Sequence, residues 1–401
     1  MNKTLQTDCC IVGGGPAGVM LGFLLARKGI NVVVLEKHAD FFRDFRGDTI
    51  HPSTLELMYE MGMLDEFLKI PHQALAQLTM HFGNSIIKLA DFSHLPLHCQ
   101  YIAIMPQWDF LNFLAAQGEK YPNFNLLMGA EVTDLITEGD AVKGAVVKTA
   151  EGRLEVHAKL VVGADGRSSI VRQKAGLIVK EFGVPIDVLW LHIPKDAETQ
   201  EQALGYFKGN KMMILIDRHD YFQCGYIIIK DGFEEIKKRG LEAFRADLVS
   251  PAPFLAPYVN GVNNWDDVKL LTVQINRLQT WYRNGLLCIG DAAHAMSPAG
   301  GVGINLAVQD AVAAANILFA PLNSNTVTPV VLKQVQDRRE LPARFVQTLQ
   351  VFIHNQLLNP KKGGQGNKVV LFASLLKYFP FLNRIPARVV GMGLRPEHIK
   401  G

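Results

Sequence analysis

A glycine run set between a strand and a helix constrains this chain more than any other feature. Cys9-Cys10-Ile11-Val12 reads as a buried strand. Gly13-Gly14-Gly15-Pro16-Ala17-Gly18 reads as the turn after it. A helix then runs to about Lys28 and is closed by Gly29. Gly13 permits the tight turn, Gly15 lets backbone approach a pyrophosphate, and Gly18 lets helix pack on strand. The helix start, with Pro16 and Ala17, offers unpaired N–H groups and partial positive charge to phosphates. Val32-Val33-Val34-Leu35 is the second strand, and Glu36 ends it. An acid there accepts hydrogen bonds from a ribose diol and repels a 2′-phosphate, so the ligand is FAD- or NAD-like. The competing reading is an ordinary strand–turn–helix unit, which the register of strand, helix and acid disfavours.

Two later segments repeat the pattern of glycines after an apolar run. One is Gly163-Ala164-Asp165-Gly166-Arg167. The other is Gly290-Asp291-Ala292-Ala293-His294, followed by Pro298-Ala299-Gly300-Gly301-Val302-Gly303. Asp291 can accept hydrogen bonds from a ribityl chain. The glycines at 300–303 let backbone come close and start a helix. Its N-terminus could face the flavin pyrimidine edge, where negative charge appears on reduction. Alone, this is a glycine-rich helix start with an acidic cap. The order and spacing of all three segments point to one flavin.

The fold class expected is α/β: a Rossmann-like FAD-binding domain, an inserted β-rich substrate domain and a helical C-terminal tail. Residues 1–72, 97–176 and 277–358 are assigned to the FAD-binding domain. The hairpin at 73–96 and the β-rich stretch 177–276 are assigned to the substrate domain, and 359–401 to the tail. One helix is expected over about 234–248.

With 401 residues and 48% hydrophobic content, the chain can bury a sizeable core. Net charge is +3 without a long basic run, so nucleic acid is not an expected partner. Cys9, Cys10, Cys99, Cys224 and Cys288 form no CxxC pair, which fits reduced thiols in a cytoplasmic protein. The polar N-terminus does not read as a signal peptide. No uncharged apolar stretch reaches the ~18 residues needed to span a bilayer. The apolar run 369–381 reads as a helix on the body, with peripheral membrane contact the minority reading. The sequence does not choose between monomer and homodimer.

These motifs resemble those of the single-component FAD-dependent aromatic hydroxylases, the group typified by para-hydroxybenzoate hydroxylase. The resemblance covers nearly the whole chain. It implies that Gly13, Gly15, Pro16, Ala17, Gly18, Glu36 and Lys37 hold the nucleotide half of FAD. It implies that Asp165, Gly166 and Arg167 contact FAD and help the nicotinamide donor dock. Gly290 and Asp291 would hold the ribityl chain. Pro298 would lie by the reactive edge of the isoalloxazine, with Gly301, Val302 and Gly303 beside it. Arg46 matches an arginine near the flavin and Gln107 a glutamine that touches it, so Arg46 and Pro298 are the catalytic candidates. The implied reaction uses NADPH or NADH to reduce the flavin. Oxygen adds at C4a, and the resulting flavin hydroperoxide hydroxylates an aromatic small molecule. No second glycine motif marks a nicotinamide domain, and no CxxC pair supports a disulfide reductase. The stretch after Asp291 is too short for the thioredoxin-like domain of several relatives. Trp108, Trp190, Trp265 and Trp281 form no closely spaced pair of the halogenase kind.

The alternatives are a flavin-dependent reductase or dehydrogenase of a prenyl or quinone-like lipid, and a non-catalytic flavoprotein that shields an intermediate. No metal is expected: Pro96 breaks any helix that would align His94 with His98. His294 is read as structural or near the cofactor. For the substrate, strands are expected at 184–191, 212–216 and 222–229. On the third, Phe222, Cys224 and Tyr226 share one face with Ile228. That face is taken to line the pocket, with core packing as the competing reading. No arginine lies within these strands to clamp a carboxylate, and Arg218 falls just outside. An apolar phenolic or polycyclic substrate is expected over a small aromatic acid.

Overall fold

The structure, a computed structural model, describes residues 3–42, 48–83, 85–196, 198–199, 204–209, 211–357 and 379–400. Two sheets carry the architecture, and each has its own core.

The first sheet grows from the Val-rich runs, which bury both faces of parallel strands. Its spatial order begins with β2 (Val32–Glu36), β1 (Lys3–Val12) and the long β11 (Gly152–Gly163). β20 (Leu286–Cys288) follows β11 in parallel, and β8 (Phe124–Met128) flanks β2 in parallel. The amino half of β11 continues as an antiparallel meander with β10 (Ala141–Thr149) and β9 (Glu131–Glu138). β19 (Tyr282–Arg283) closes the far edge. Helix α1 (Pro16–Arg27) packs between α4 (Gln107–Gly118) and α9 (Gly303–Asn323). Helix α10 (Pro329–Leu357) packs on α9. By length and composition α9 could cross a membrane, but 72% of its apolar window is buried inside the protein.

The second sheet has seven strands. In spatial order they are β17 (Lys269–Leu271), β13 (Ile186–Pro194), β16 (Tyr221–Ile229), β15 (Lys211–Asp217), β14 (Gly205–Lys208), β5 (Gln77–Phe82) and β6 (Ser85–Asp91). The hairpin formed by β5 and β6 thus joins strands more than a hundred residues later, through the parallel pair β14–β5. Two helices cover one face, α6 (Phe233–Lys238) and α7 (Leu241–Val249). The sequence reading gave one helix here. Gly240, at φ +84°, breaks it in two and caps the second half.

A small antiparallel sheet links the two bodies: β3 (Thr49–Ile50), β7 (Ile102–Ile104) and β4 (Gln73–Leu75). Helices α2 (Pro52–Glu60) and α3 (Leu64–Phe67) follow β3. β12 (Val179–Phe182) pairs with β18 (Ile275–Leu278) where the chain leaves and re-enters the first body. Helix α5 (Ile170–Lys174) follows β11 after the loop that carries Asp165, and α8 (Asp291–His294) follows closely on β20. The short helix Arg384–Gly391 packs beside β6. The loop at 361–366 and most of the run 369–381 lie outside the described residues.

Candidate functional site

The three glycine segments lie at the carboxyl ends of adjacent parallel strands, where open α/β sheets bind ligands. Backbone bonds tie these ends together. Gly13 N–H donates to Leu35 O at 2.8 Å, Ala164 N–H to Val12 O at 2.7 Å, and Ile289 N–H to Gly163 O at 2.9 Å. Segments more than a hundred residues apart in sequence therefore share one crevice.

The glycines of the first turn differ in what surrounds them. Gly13 sits at φ +109°, and a Cβ there would come within 2.4 Å of Ala164 O. A Cβ on Gly18 would come within 1.9 Å of Gly13 O. Both are thus required by protein packing. Over Gly15 nothing lies within 4 Å. That open space, at the start of a helix that no side chain caps, is a cradle a diphosphate fits. Pro16 opens α1 and Ala17 is buried in its first turn. Glu36 accepts the N–H of Gly14 at 2.9 Å and of His38 at 3.0 Å. A carboxylate at this strand end is the group type that accepts from a ribose hydroxyl. Lys37 beside it is exposed.

The middle segment is shaped from within. Asp165 accepts Ser169 Oγ at 2.5 Å and the Val171 N–H at 3.1 Å. Burial pushes its carboxyl above the usual range despite these bonds. Its carboxylate serves its own loop, so its effect on a cofactor would pass through the backbone of Gly166, at φ +82°. Arg167 instead reaches across: its Nε donates to Asp291 Oδ2 at 3.0 Å, both side chains being about one-third exposed. This pair joins the middle and late segments.

Behind the late segment lies a buried ionic knot that the sequence reading missed. Asp310 accepts the Gly290 N–H at 3.0 Å, His294 Nε2 at 2.5 Å and Arg339 Nε at 2.9 Å. Burial alone would raise this carboxyl, but His294 and Arg339 outweigh it and hold it below its usual range. The Asp310 carboxylate therefore fixes Gly290, whose φ is +58°. His294 is tied there through Nε2, its ring lies tilted against Trp281 at 4.9 Å, and its buried Nδ1 has no hydrogen-bond partner among the described residues. The signal was present in sequence: Asn305, Gln309 and Asp310 interrupt an otherwise apolar helix. Their partners, including Arg339, come from elements that no local pattern joins to it.

Helix α10 grips the next loop by its backbone. Gln350 accepts the Ser297 N–H at 3.1 Å and donates to the carbonyls of Ser297 and Ala299, both at 2.9 Å. His354 Nε2 meets Ser297 Oγ at 3.1 Å, and burial lowers its pKa to about 4. Pro298 is held between these contacts, half-buried. Thr49 Oγ1 donates to Gly301 O at 2.8 Å, and a Cβ on Gly301 would lie 2.3 Å from that hydroxyl. Val302 is buried and caps α9, while the space over Gly303 is open. Gln107 is half-buried in the first turn of α4. Arg46 lies outside the described residues.

The second sheet corrects the substrate reading. Phe222, Cys224, Tyr226 and Ile228 do share a face, but it is the core face. Tyr226 meets Phe244 of α7 edge to face at 5.6 Å, and Phe222 meets Phe254 at 5.8 Å. The opposite face turns toward the first body. There Gln223 Nε2 donates to Asp48 Oδ2 at 2.7 Å, next to β3. Arg218 is bound to the same pair, 2.9 Å from Asp48 Oδ1 and 3.2 Å from Gln223 Oε1. With its side chain 11% exposed, Arg218 is neutralised and closed off. His98 pairs with Glu56 and His94 lies by Arg384. No cluster of three metal-binding side chains occurs among the described residues.

Residues 6–348 match the FAD binding domain family. The 6-methylpretetramide 4-monooxygenase of Streptomyces rimosus is 32% identical over 357 residues, covering 88% of this chain and 85% of that one. The para-nitrophenol 4-monooxygenase of Pseudomonas sp. strain WBC-3 is 24% identical over 348 residues, covering 84% and 83%. The crystal structure of p-nitrophenol 4-monooxygenase from Pseudomonas putida DLL-E4 superposes with a TM-score of 0.78 at 20% identity, covering 96% of this chain and 97% of that one. That last likeness speaks for the fold. The family match and the 32% identical relative speak for the chemistry, and this chain belongs to the FAD-dependent aromatic monooxygenases.

Proposed function

We propose that this enzyme uses NAD(P)H and O2 to hydroxylate an apolar, fused-ring phenol. FAD bound in the crevice supplies the two-electron reduction and the activation of oxygen. The protein's share is placement, polarity and exclusion of water. Gly15 and the start of α1 would hold the diphosphate, with Glu36 on the adenosine ribose. Asp291, oriented by Arg167, would hold the ribityl chain. The start of α9, placed by Thr49 and Gln350, would set its partial positive charge against the reduced ring.

One observation carries the choice of substrate. The sheet face turned toward the first body presents half-buried Trp190, Met212, Ile214 and Phe207, and the nearby Arg218 is consumed by Asp48. Such a face takes apolar rings, and the described arginine beside it, Arg218, is already paired and so not offered to a benzoate carboxylate. The relatives span both sizes, one named for 6-methylpretetramide and one for para-nitrophenol. The test is coupled turnover with 6-methylpretetramide, para-nitrophenol and 4-hydroxybenzoate, each with NADPH and NADH. Product one oxygen heavier from the multi-ring phenol supports the proposal. Efficient hydroxylation of 4-hydroxybenzoate alone overturns it.

A further inference from the structure

The register of the second sheet builds one cross-strand row facing the first body. Trp190 on β13 lies opposite Gly225 on β16, Gly225 opposite Ile214 on β15, Ile214 opposite Gly205 on β14, and Gly205 opposite Met80 on β5. Two of these five positions are glycine, although neither has a left-handed backbone that demands it. Space is the reason. A Cβ on Gly225 would lie 3.1 Å from Cη2 and Cζ3 of the Trp190 indole. A Cβ on Gly205 would lie 2.8 Å from Met80 Cε. Each glycine thus lets a long neighbour lie down across its strand. Trp190 and Met80 fold inward from opposite sides, with Ile214 between them. Glycine in a strand interior weakens the sheet and marks a close approach. Here two of them flatten a face that is otherwise made of large side chains.

From this row we infer that Trp190, Ile214 and Met80, laid flat by Gly225 and Gly205, form the stacking floor that selects a planar fused-ring substrate. The inference rests on the function proposed above. A flat apolar floor offers its full area to a flat ligand and little of it to a single ring. An indole face adds the offset-stacking attraction that aromatic pairs favour. Specificity would then lie in Gly225 as much as in Trp190. A branched side chain at 225 would lift the indole and tilt the floor, without removing any group the substrate touches.

The test is binding, read by calorimetry on the oxidised holoprotein with no nicotinamide donor present. The probes are 1,8-dihydroxyanthraquinone, which is planar and three rings wide, and para-nitrophenol. In Gly225→Val, affinity for the anthraquinone should fall tenfold or more, while that for para-nitrophenol changes less than threefold. Trp190→Ala should show the same split, and Trp190→Phe should recover part of the anthraquinone affinity. FAD content equal to wild type serves as the folding control, and Trp190→Phe keeps the test alive if Gly225→Val fails it. Unchanged anthraquinone affinity in folded variants, or an equal loss for both probes, overturns the floor. The two readings separate cleanly. If wild type binds planar phenols with this split but never inserts oxygen, hydroxylation falls and the floor stands. If wild type hydroxylates multi-ring phenols and the variants bind as wild type does, the floor falls and hydroxylation stands.

Discussion

The two sheets treat their glycines in different ways. In the first, Gly13 and Gly18 stand where backbone meets backbone, and a Cβ has nowhere to go. In the second, Gly225 and Gly205 stand where side chains meet backbone, and a Cβ would move an indole or a thioether. The first kind of glycine fixes a crevice that any member of a large family needs for its cofactor. The second kind shapes the sheet face proposed above as the floor for a planar substrate. Substitutions in the first region should therefore be all-or-none, and substitutions in the second graded.

The largest effect is expected at Gly18. Gly18→Val drives a side chain into Gly13 O, a backbone atom that cannot step aside. The purified protein should be colourless or fail to fold. Yellow, FAD-loaded Gly18→Val would break the contrast at its root.

Asp310 comes next. Asp310→Ala removes, among the described residues, the only carboxylate paired with His294 and one of the two on Arg339, which keeps Glu397 at 3.3 Å. Removing one partner of a buried ion pair costs about 3–5 kcal/mol. Urea denaturation should register that loss. A cost below about 1 kcal/mol would show that the knot does not hold the late segment.

His354 sharpens the comparison through pH. Burial lowers its pKa from 6.5 to about 4. The unfolded chain therefore takes up this proton first as pH drops, and stability should decline between pH 6.5 and about 4. The loss is at most about 3 kcal/mol and absent above that window. His354→Gln should flatten this part of the stability–pH curve. An unaltered slope in the variant would assign the decline to other groups.

Asp291, proposed above to hold the ribityl chain, has a direct ionic partner in Arg167. Asp291→Ala should weaken FAD binding by about 1.5–3 kcal/mol, roughly ten- to a hundredfold. Equilibrium dialysis against FAD measures it, and unaltered affinity would remove Asp291 from the site.

The smallest effect is expected at Tyr226. Its ring belongs to the helix-covered core face, beside Phe244. Tyr226→Phe keeps that packing, so substrate affinity should stay within about threefold, less than 0.7 kcal/mol. A tenfold loss would restore the face read from sequence as the pocket.

Legibility divides along the same line. The first turn could be read because its information is local: an apolar run, glycines, a helix and an acid within forty residues. The order of β16 side chains could be read as well, since alternation follows from strand geometry. Which layer covers which face could not. Both faces of β16 are largely buried, one by α6 and α7 and the other toward Asp48. The more apolar face proved to be the core. Its neighbours Gln223 and Gly225 looked uninformative alone, because their meaning depends on Asp48 and Trp190 from other strands. Asp310 shows the intermediate case. A buried acid on an apolar helix announces a partner, but the pairing with Arg339 appears only when α10 packs on α9. The break at Gly240 was visible as a glycine and was passed over within an amphipathic run.

One measurement addresses the central claim most directly: turnover of a multi-ring phenol under isotopically heavy O2, with NAD(P)H consumption followed and product mass recorded. The account predicts one heavy oxygen atom in the product for each NAD(P)H consumed. Product without heavy oxygen, formed while NAD(P)H is oxidised, would contradict it.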